Sequence, residues 1–395
     1  MQDGESGNYV TRVFDDMDAV PATVWDALLG AQATPTPFMR HAYLKAMTAS
    51  GSAVPDAGWA LRLFTRWQGQ RLSAACPVWL KGHSRGEYVF DWAWAEAYER
   101  HGLAYYPKAI VASPFTPVPG SRLLARTVDA RADLLQALTG WCRQEGLSSL
   151  HILFGDNIDQ AAGLEAGLML RQQVQFHWQN PGWRDFEDFL ASLNQDKRKK
   201  IRQERRKVRD AGVVFRCVPG QQASDSDWAL VQHCYQQTYW EHGNPPYLQP
   251  AFFEAMRRHM PSHWLLCIGE RGGQPMAMSL IGLQHDAHGA PQVAYGRYWG
   301  ATQRVDCLHF EACYYQPIEW CIRHGVVRFE GGAQGEHKMA RALLPVSTAS
   351  AHWIAHPGFA DAIARFLDRE RDGVADYMSA LTQHSPLRQQ APDQA

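Results

Sequence analysis

The sequence predicts a mixed α/β fold built from two tandem copies of one kind of domain. A β-hairpin pattern occurs twice, at residues 61–79 and 265–283, and Gly69-Gln70 of the first turn fall on Gly273-Gln274 of the second, 204 positions later. A period near 200 residues indicates duplicated domains, because solenoid repeats are far shorter. The second copy continues as strand, helix and strand, the pattern of a parallel α/β unit.

The elements of the second copy follow one another from the hairpin onward. An aromatic-rich strand at 293–299 precedes a helix at 308–322, whose apolar residues recur at helical spacing. Pro317 predicts a bend in that helix, because proline removes a backbone hydrogen bond. A strand at 326–330 follows. Amphipathic spacing predicts flanking helices at 21–29, 38–48, 130–145, 186–193 and 358–382.

Length and composition set the domain organisation. A chain of 395 residues with 46% hydrophobic residues is long enough for two or three packed cores. The predicted parts are an N-terminal domain at 1–182, a C-terminal domain at 183–385 that contains a basic helix at 196–210, and a disordered tail at 386–395.

Charge and cysteine usage exclude several classes of protein. Lys and Arg number 39 against 40 Asp and Glu, so any anion-binding surface must be local. The start of the chain is polar and acidic, and no run approaches the roughly 18 apolar residues of a membrane span, which predicts a cytoplasmic protein without integral membrane contact. Eight cysteines without CxxC or Cys/His spacing predict neither a metal site nor a disulfide framework. Cys313 is the one cysteine for which a nucleophilic role stays as an alternative.

The densest polar group follows the strand that ends at Glu330. Glycines at the carboxyl end of a strand let a ligand approach the backbone closely, at the edge where α/β sheets place their sites. The alternative is a solvated turn held by a salt bridge. Arg297 lies on the apolar strand 293–299 and needs a carboxylate or a ligand as partner. It is therefore either paired structurally with Glu311 or Glu330, or it binds the substrate. The candidate catalytic residues are Glu336, His337, Glu330 and Glu311. The candidate substrate-binding residues of this half are Arg297, His309, Tyr315, Gly331, Gly332, Gln334, Lys338 and Arg341.

Two further clusters carry charge. Residues 81–94 of the first half mix charges with Trp and Tyr, which predicts one wall of a groove, with a wet hairpin loop as the alternative. Residues 197–209 hold nine basic residues and one acid, a field that disfavours a helix unless something anionic covers it. This run is either an RNA or phosphate contact or a solvent-exposed helix. The candidates are Lys81, His83, Glu87 and Trp92 in the first cluster, and Lys197, Arg198, Lys199, Lys200, Arg202 and Arg205 in the second.

Several runs resemble one bacterial family. KRKKIRQERRKV, YGRYWG, LHFEACYYQPIEW and FEGGAQGEHKMARALLPV are similar to those of predicted N-acyltransferases called FemAB-like, or peptidoglycan-biosynthesis-like, within the GNAT superfamily. The resemblance covers about residues 30 to 385. It implies two tandem GNAT-like folds but no particular reaction. The working hypothesis is transfer of an acyl or aminoacyl group to an amine, with the site mainly in the C-terminal half. The implied acceptor is a small molecule or resembles a peptidoglycan precursor.

One departure from the GNAT pattern bears on the donor. GNAT enzymes that use acyl-CoA carry a glycine-containing loop whose backbone N–H groups bind pyrophosphate at a helix start. The corresponding residues 302–307 contain no glycine. Acyl-CoA in the usual pose is therefore disfavoured in the second half, and an aminoacyl or acyl donor on a larger carrier is favoured over it. If the donor is an aminoacyl-tRNA, the basic run is the expected contact. Two rival functions stay open: a non-catalytic RNA-binding or adaptor protein, and a protein that binds an acyl metabolite.

Overall fold

The computed structural model describes residues 9–332 and 335–388. Contacts between residues divide the chain into two compact units. The first unit comprises the described residues up to Gln173 together with Thr348–Val374, and the second comprises Val174–Ser347 together with the residues from Ala375 onward. Among the described residues, no helix is both long and apolar enough to cross a bilayer.

Strands and helices are distributed along all of the described residues. The strands are β1 (Tyr9–Phe14), β2 (Trp59–Gln68), β3 (Arg71–Lys81), β4 (Lys108–Val111), β5 (Leu124–Ala125), β6 (Ser149–Ile152), β7 (Met169–Gln179), β8 (Val213–Pro219), β9 (Trp264–Arg271), β10 (Gln274–His285), β11 (Pro291–Ala301), β12 (Arg328–Glu330) and β13 (Leu344–Ile354). The helices are α1 (Ala22–Gly30), α2 (His41–Ala49), α3 (Trp92–Arg100), α4 (Val128–Gln144), α5 (Asn157–Glu165), α6 (Phe186–Ser192), α7 (Gln195–Asp210), α8 (Asp225–Glu241), α9 (Pro250–His259), α10 (Leu308–Phe310), α11 (Gln316–Arg323) and α12 (Pro357–Gln383).

The two units have the same sheet topology. In the first, β1, β2, β3 and β4 form an antiparallel meander, β4 pairs with β6 in parallel, and β6 pairs with β13 antiparallel. In the second, β8, β9, β10 and β11 form the meander, β11 pairs with β12 in parallel, and β12 pairs with β7 antiparallel. The repeated hairpins of the sequence are thus β2–β3 and β9–β10, which occupy equivalent places in the two sheets.

The last strand of each sheet comes from the other half of the chain. Strand β7 comes after β6 in the sequence but pairs through residues 177–179 with β12 of the second sheet. Strand β13 comes after β12 but pairs through residues 351–354 with β6 of the first sheet. The unit boundaries therefore differ from the predicted division at residue 182. Periodicity indicates that a segment is a strand but does not name its partner, so this exchange has no local signal.

The basic run forms helix α7 because its few apolar residues lie on one face. Ile201, Glu204 and Val208 are buried along this stripe, and the Asn194 side chain accepts a hydrogen bond from the backbone N–H of Lys197 at the helix start. Packing of the stripe and capping offset the repulsion among the cations that the sequence showed.

The helix after β11 changes geometry in its middle. Helices α10 and α11 are joined by a π-helical segment, Glu311–Tyr315, that ends two residues before Pro317. Proline has no backbone N–H to donate, and the wider π-helical turn accommodates the missing hydrogen bond.

At the end of the described chain, the Pro386 carbonyl accepts from the Asn194 N–H and the Arg388 N–H donates to the Ser192 carbonyl. These residues, placed in the predicted disordered tail, are thus held by backbone bonds, and 389–395 lie outside the described residues.

Candidate active site

A small cavity opens where β11 and β12 separate. The parallel pairing ends at Tyr295 and Glu330, while β11 continues to Ala301. At the same level β11 contains one extra residue, Arg297, between the pairs Ile281–Gly296 and Leu280–Tyr298. Such a β-bulge redirects a side chain and bends the strand. The resulting cavity of about 150 Å³ is lined in part by Arg297, His309, Gly331 and Gly332.

A larger cavity of about 570 Å³ adjoins the small one. Its walls are residues of α8 and the connection from β11 to α10, which includes Arg304 and Cys307. Trp299 and His309 line both cavities. The glycine-free loop 302–307 therefore contributes to the wall of a cavity that shares these two side chains with the small cavity between β11 and β12.

The imidazole of His309 is the titratable group shared by the two cavities. Its ring packs edge-on against Trp299, with 4.9 Å between ring centroids, and lies 6.3 Å from the ring of His337. Burial, followed by the nearby His337, Arg341 and Lys338, lowers the pKa of His309 to about 4. A neutral imidazole at physiological pH has a lone pair that can accept a proton.

The side chains of His337 and Glu336 have different partners although the residues are neighbours in sequence. The His337 Nε2 atom lies 3.1 Å from the hydroxyl of Tyr314, which lines the small cavity. Burial, with Lys338 and Arg341, lowers the pKa of His337. The Glu336 carboxylate is exposed and accepts a 2.6 Å hydrogen bond from the Tyr377 hydroxyl. Of the two, His337 is the one whose side chain contacts a residue of the cavity wall.

Lys338 supports the floor of the small cavity. Its ammonium is buried and donates a 2.9 Å hydrogen bond to the Gly332 carbonyl, and burial lowers the pKa of Lys338 to about 8. A Cβ atom on Gly331 would lie 2.5 Å from Cδ2 of the fully buried Leu343 and 3.3 Å from Cδ of Lys338. Only glycine fits this position without displacing its neighbours.

We expect Gly331→Ala to lower the free energy of unfolding by about 1–3 kcal/mol, because an added methyl group overpacks this floor. Gly140→Ala is the matched control, since a Cβ atom there meets nothing within 4 Å and the position is inside α4. That control should stabilise the protein by about 0.5–1 kcal/mol. Urea denaturation measures both. Equal stability of the Gly331→Ala variant and the wild type would contradict the close contact.

Arg341 forms a buried ion pair with Glu204, and Tyr315 is hydrogen-bonded to both residues. The Arg341 guanidinium lies 2.8 Å from the Glu204 carboxylate of α7, and its Nε atom donates to the Tyr315 hydroxyl at 3.2 Å. Tyr315 in turn donates to Glu204. The guanidinium also stacks on the Phe310 ring, 3.7 Å from its centroid. These contacts attach α7 to the segment that carries His337 and Lys338.

The candidate acids Glu311 and Glu330 have structural partners. Glu311 pairs with Arg205 at 3.0 Å and faces a third cavity, which the basic helix lines. Glu330 accepts from Arg328 at 3.0 Å and lies 3.8 Å from His177. Arg297 donates to the Tyr298 hydroxyl at 3.4 Å. Gln334 lies outside the described residues.

In the first unit, the predicted groove residues separate into interior and surface. Lys81 and Glu87 are buried, and burial lowers the pKa of Lys81 to about 7 and raises that of Glu87 to about 7. His83 is half-buried and Trp92 is exposed.

The candidate residues of the basic helix are mostly at the surface. Arg202 pairs with exposed Glu187, and Arg205 pairs with Glu319. Lys199 and Lys200 are exposed, and Lys197 and Arg198 are half-exposed.

The sequence did not single out several residues of the small cavity. Tyr314, Ser279 and Tyr298 line it without having been predicted as site residues. Tyr314 lies in the π-helical segment and Tyr298 follows the bulge, and neither feature leaves a mark in the periodicity. Cys313 also lines it, but burial raises the pKa of this thiol far above its usual value, which disfavours a nucleophilic thiolate.

Known proteins match the chain in family and in fold. The FemAB-like family model, described as peptidoglycan biosynthesis/recognition, matches residues 16–389. The crystal structure of FemX superposes with a TM-score of 0.55 and 8% identity, covering 89% of this chain and 100% of FemX. The structure of L-PGS from Bacillus licheniformis gives 0.53 and 10%, covering 88% and 97%. No curated protein sequence matches the chain.

The two structural matches share the fold across nearly the full length of each chain, and at this identity they show the fold alone. The predicted mixed α/β fold of two tandem copies is confirmed, as is the resemblance to one family. Because the family match extends over almost all of the sequence, the chain belongs to the FemAB-like family.

Proposed function

We propose that the second unit transfers an acyl or aminoacyl group to an amine, with bond formation in the small cavity between β11 and β12. The observation that carries this proposal is the pair of adjoining cavities that share Trp299 and His309. A donor carrier in the larger cavity would present its acyl carbon to an acceptor in the smaller one, which holds the two reactants in contact.

The side chains around the small cavity suit such a transfer. The amine nitrogen attacks the acyl carbon, the ester or thioester bond to the carrier breaks, and the carrier's oxygen or sulfur leaves with the bonding electrons. Neutral His309 accepts the amine proton and returns it to the leaving atom. Arg297 binds a carboxylate or phosphate of donor or acceptor. His337, hydrogen-bonded to Tyr314, is the alternative base.

Two observations favour an aminoacyl-tRNA as the donor. The wall of the larger cavity contains Arg304 but no glycine in the loop that would wrap a pyrophosphate. The exposed face of α7 also presents Lys199 and Lys200, whose side chains can bind RNA phosphates. The family description supports an acceptor that resembles a peptidoglycan precursor.

The decisive experiment supplies the purified chain with radiolabelled aminoacyl-tRNA or radiolabelled acyl-CoA and a peptidoglycan precursor peptide, and identifies the product by mass spectrometry. We expect an amide product from aminoacyl-tRNA. The Lys199→Glu/Lys200→Glu variant should raise KM for the tRNA donor with little change in kcat, whereas Lys45→Glu, a charge change in the first unit, should alter neither constant.

Two outcomes would redirect the proposal. A product formed only from acyl-CoA would refute the tRNA donor while supporting the transferase. RNA binding that weakens steeply with salt, without transfer from either donor, would instead favour the non-catalytic RNA-binding function.

A further inference from the structure

Two cysteines of the second unit face each other across neighbouring strands. Cys217 in β8 and Cys267 in β9 are directly paired in the antiparallel register, and their Sγ atoms lie 2.8 Å apart. Both are free thiols in this structure. A covalent S–S bond is about 2.05 Å long, so the two sulfur atoms need to approach by only about 0.8 Å to be joined.

The two thiols differ in access to solvent. Strand β8 is the last strand of its sheet, and Cys217 is half-buried there, whereas Cys267 is fully buried. Burial, together with the hydrogen bond to Cys217, raises the pKa of the Cys267 thiol. A reagent arriving from solvent therefore meets Cys217 first, and Cys267 is placed to react second.

We propose that Cys217 and Cys267 form a reversible dithiol–disulfide site that reacts with small disulfides such as glutathione disulfide. The Cys217 thiolate attacks one sulfur of the reagent and expels one glutathione thiolate, which leaves a mixed disulfide on the protein. Cys267 then attacks the Cys217 sulfur, its proton passes to the departing sulfur, and a second glutathione leaves. In total, two protein thiols are oxidised and one glutathione disulfide is reduced to two glutathione molecules.

The geometry favours the internal bond over a lasting mixed disulfide. The buried sulfur is already in contact with the attacked one, which gives an intramolecular step a high effective concentration. The bond would join the edge strand to its neighbour and close the chain segment between residues 217 and 267, so the melting temperature of the oxidised protein should be roughly 5 °C higher.

The test treats the full-length protein with glutathione disulfide, alkylates the remaining thiols in denaturant, and maps the peptides by mass spectrometry. We expect a linked peptide pair containing Cys217 and Cys267, two hydrogens lighter than the reduced pair, with the other six of the eight cysteines alkylated. Dithiothreitol should reverse both the link and the rise in melting temperature.

Cys307→Ser, at another half-buried cysteine, should keep the link, and Cys217→Ser should lose it together with the temperature shift. The wild-type peptide map decides the matter even if the latter variant folds poorly. Alkylation of both thiols, a lasting glutathione adduct on Cys217, or a link to Cys321 would overturn the assignment. An unchanged melting temperature of the linked protein would refute the claim that the disulfide stabilises the protein by joining β8 to β9.

Discussion

Lys108→Met should lower the free energy of unfolding by about 5 kcal/mol, because breaking a buried ion pair leaves an uncompensated charge in the interior. The Lys108 ammonium is fully buried in the first unit and contacts two carboxylates, Glu87 at 2.8 Å and Asp91. Burial opposes ionisation of Asp91, yet the attraction of Lys108 outweighs it and holds the pKa of that carboxyl below its usual value. Methionine removes the ammonium that pairs with both acids. Chemical denaturation measures the loss.

Two further variants separate charge from packing. Lys45→Met breaks an equally short but exposed ion pair with Asp18, so it should cost no more than about 1 kcal/mol. Adding Glu87→Gln and Asp91→Asn to Lys108→Met removes the unpaired charges and should restore a large part of the stability. A loss for Lys108→Met as small as that for Lys45→Met would show that the cluster is solvated.

This cluster also shows what a charge pattern in sequence can indicate. The mixture of Lys81, Glu87 and Trp92 predicts a groove wall, since charged residues between strands are normally exposed. Trp92 is exposed, but Glu87 is buried against Lys108, which lies on the next strand and supplies the compensating ammonium. The candidate residues are within one short stretch, but the partner that permits burial of Glu87 is more distant in sequence. Burial of a charge is therefore a property of the pair, which composition alone does not reveal.

In the second unit too, some features follow from local sequence patterns and others depend on contacts between distant segments. The hairpin β9–β10 and the strand, helix and strand that follow it come from patterns within a few residues, and they suffice to bring Gly331 and Gly332 beside Arg297 and His309. The bulge at Arg297 depends on register with β10, and completion of each sheet depends on an exchanged strand. These features arise from pairing between distant segments, which the periodicity of one segment does not encode.

His309→Ala should lower kcat by about 10²-fold, because a positioned general base contributes at least that much to a proton-transfer step. KM should change little if the imidazole acts mainly in the transition state. His288→Ala is the matched control, since that histidine is exposed in the turn between β10 and β11. It should retain full activity. The transfer assay with saturating donor gives both constants, and circular dichroism establishes that each variant is folded.

The protonation state of His309 gives an independent measurement of the same site. Burial and the neighbouring cations place its pKa at about 4, so the imidazole should be neutral and able to accept a proton throughout the range from pH 5 to pH 8. A histidine-selective NMR titration, assigned by the signal missing from His309→Ala, should show no midpoint near the ordinary value of about 6.5. A midpoint there would mean that water and counter-ions solvate the ring. Because the proposed proton transfer depends on a neutral base between two substrates, that result together with full activity of His309→Ala would exclude His309 from catalysis and leave the Tyr314–His337 pair as the remaining base.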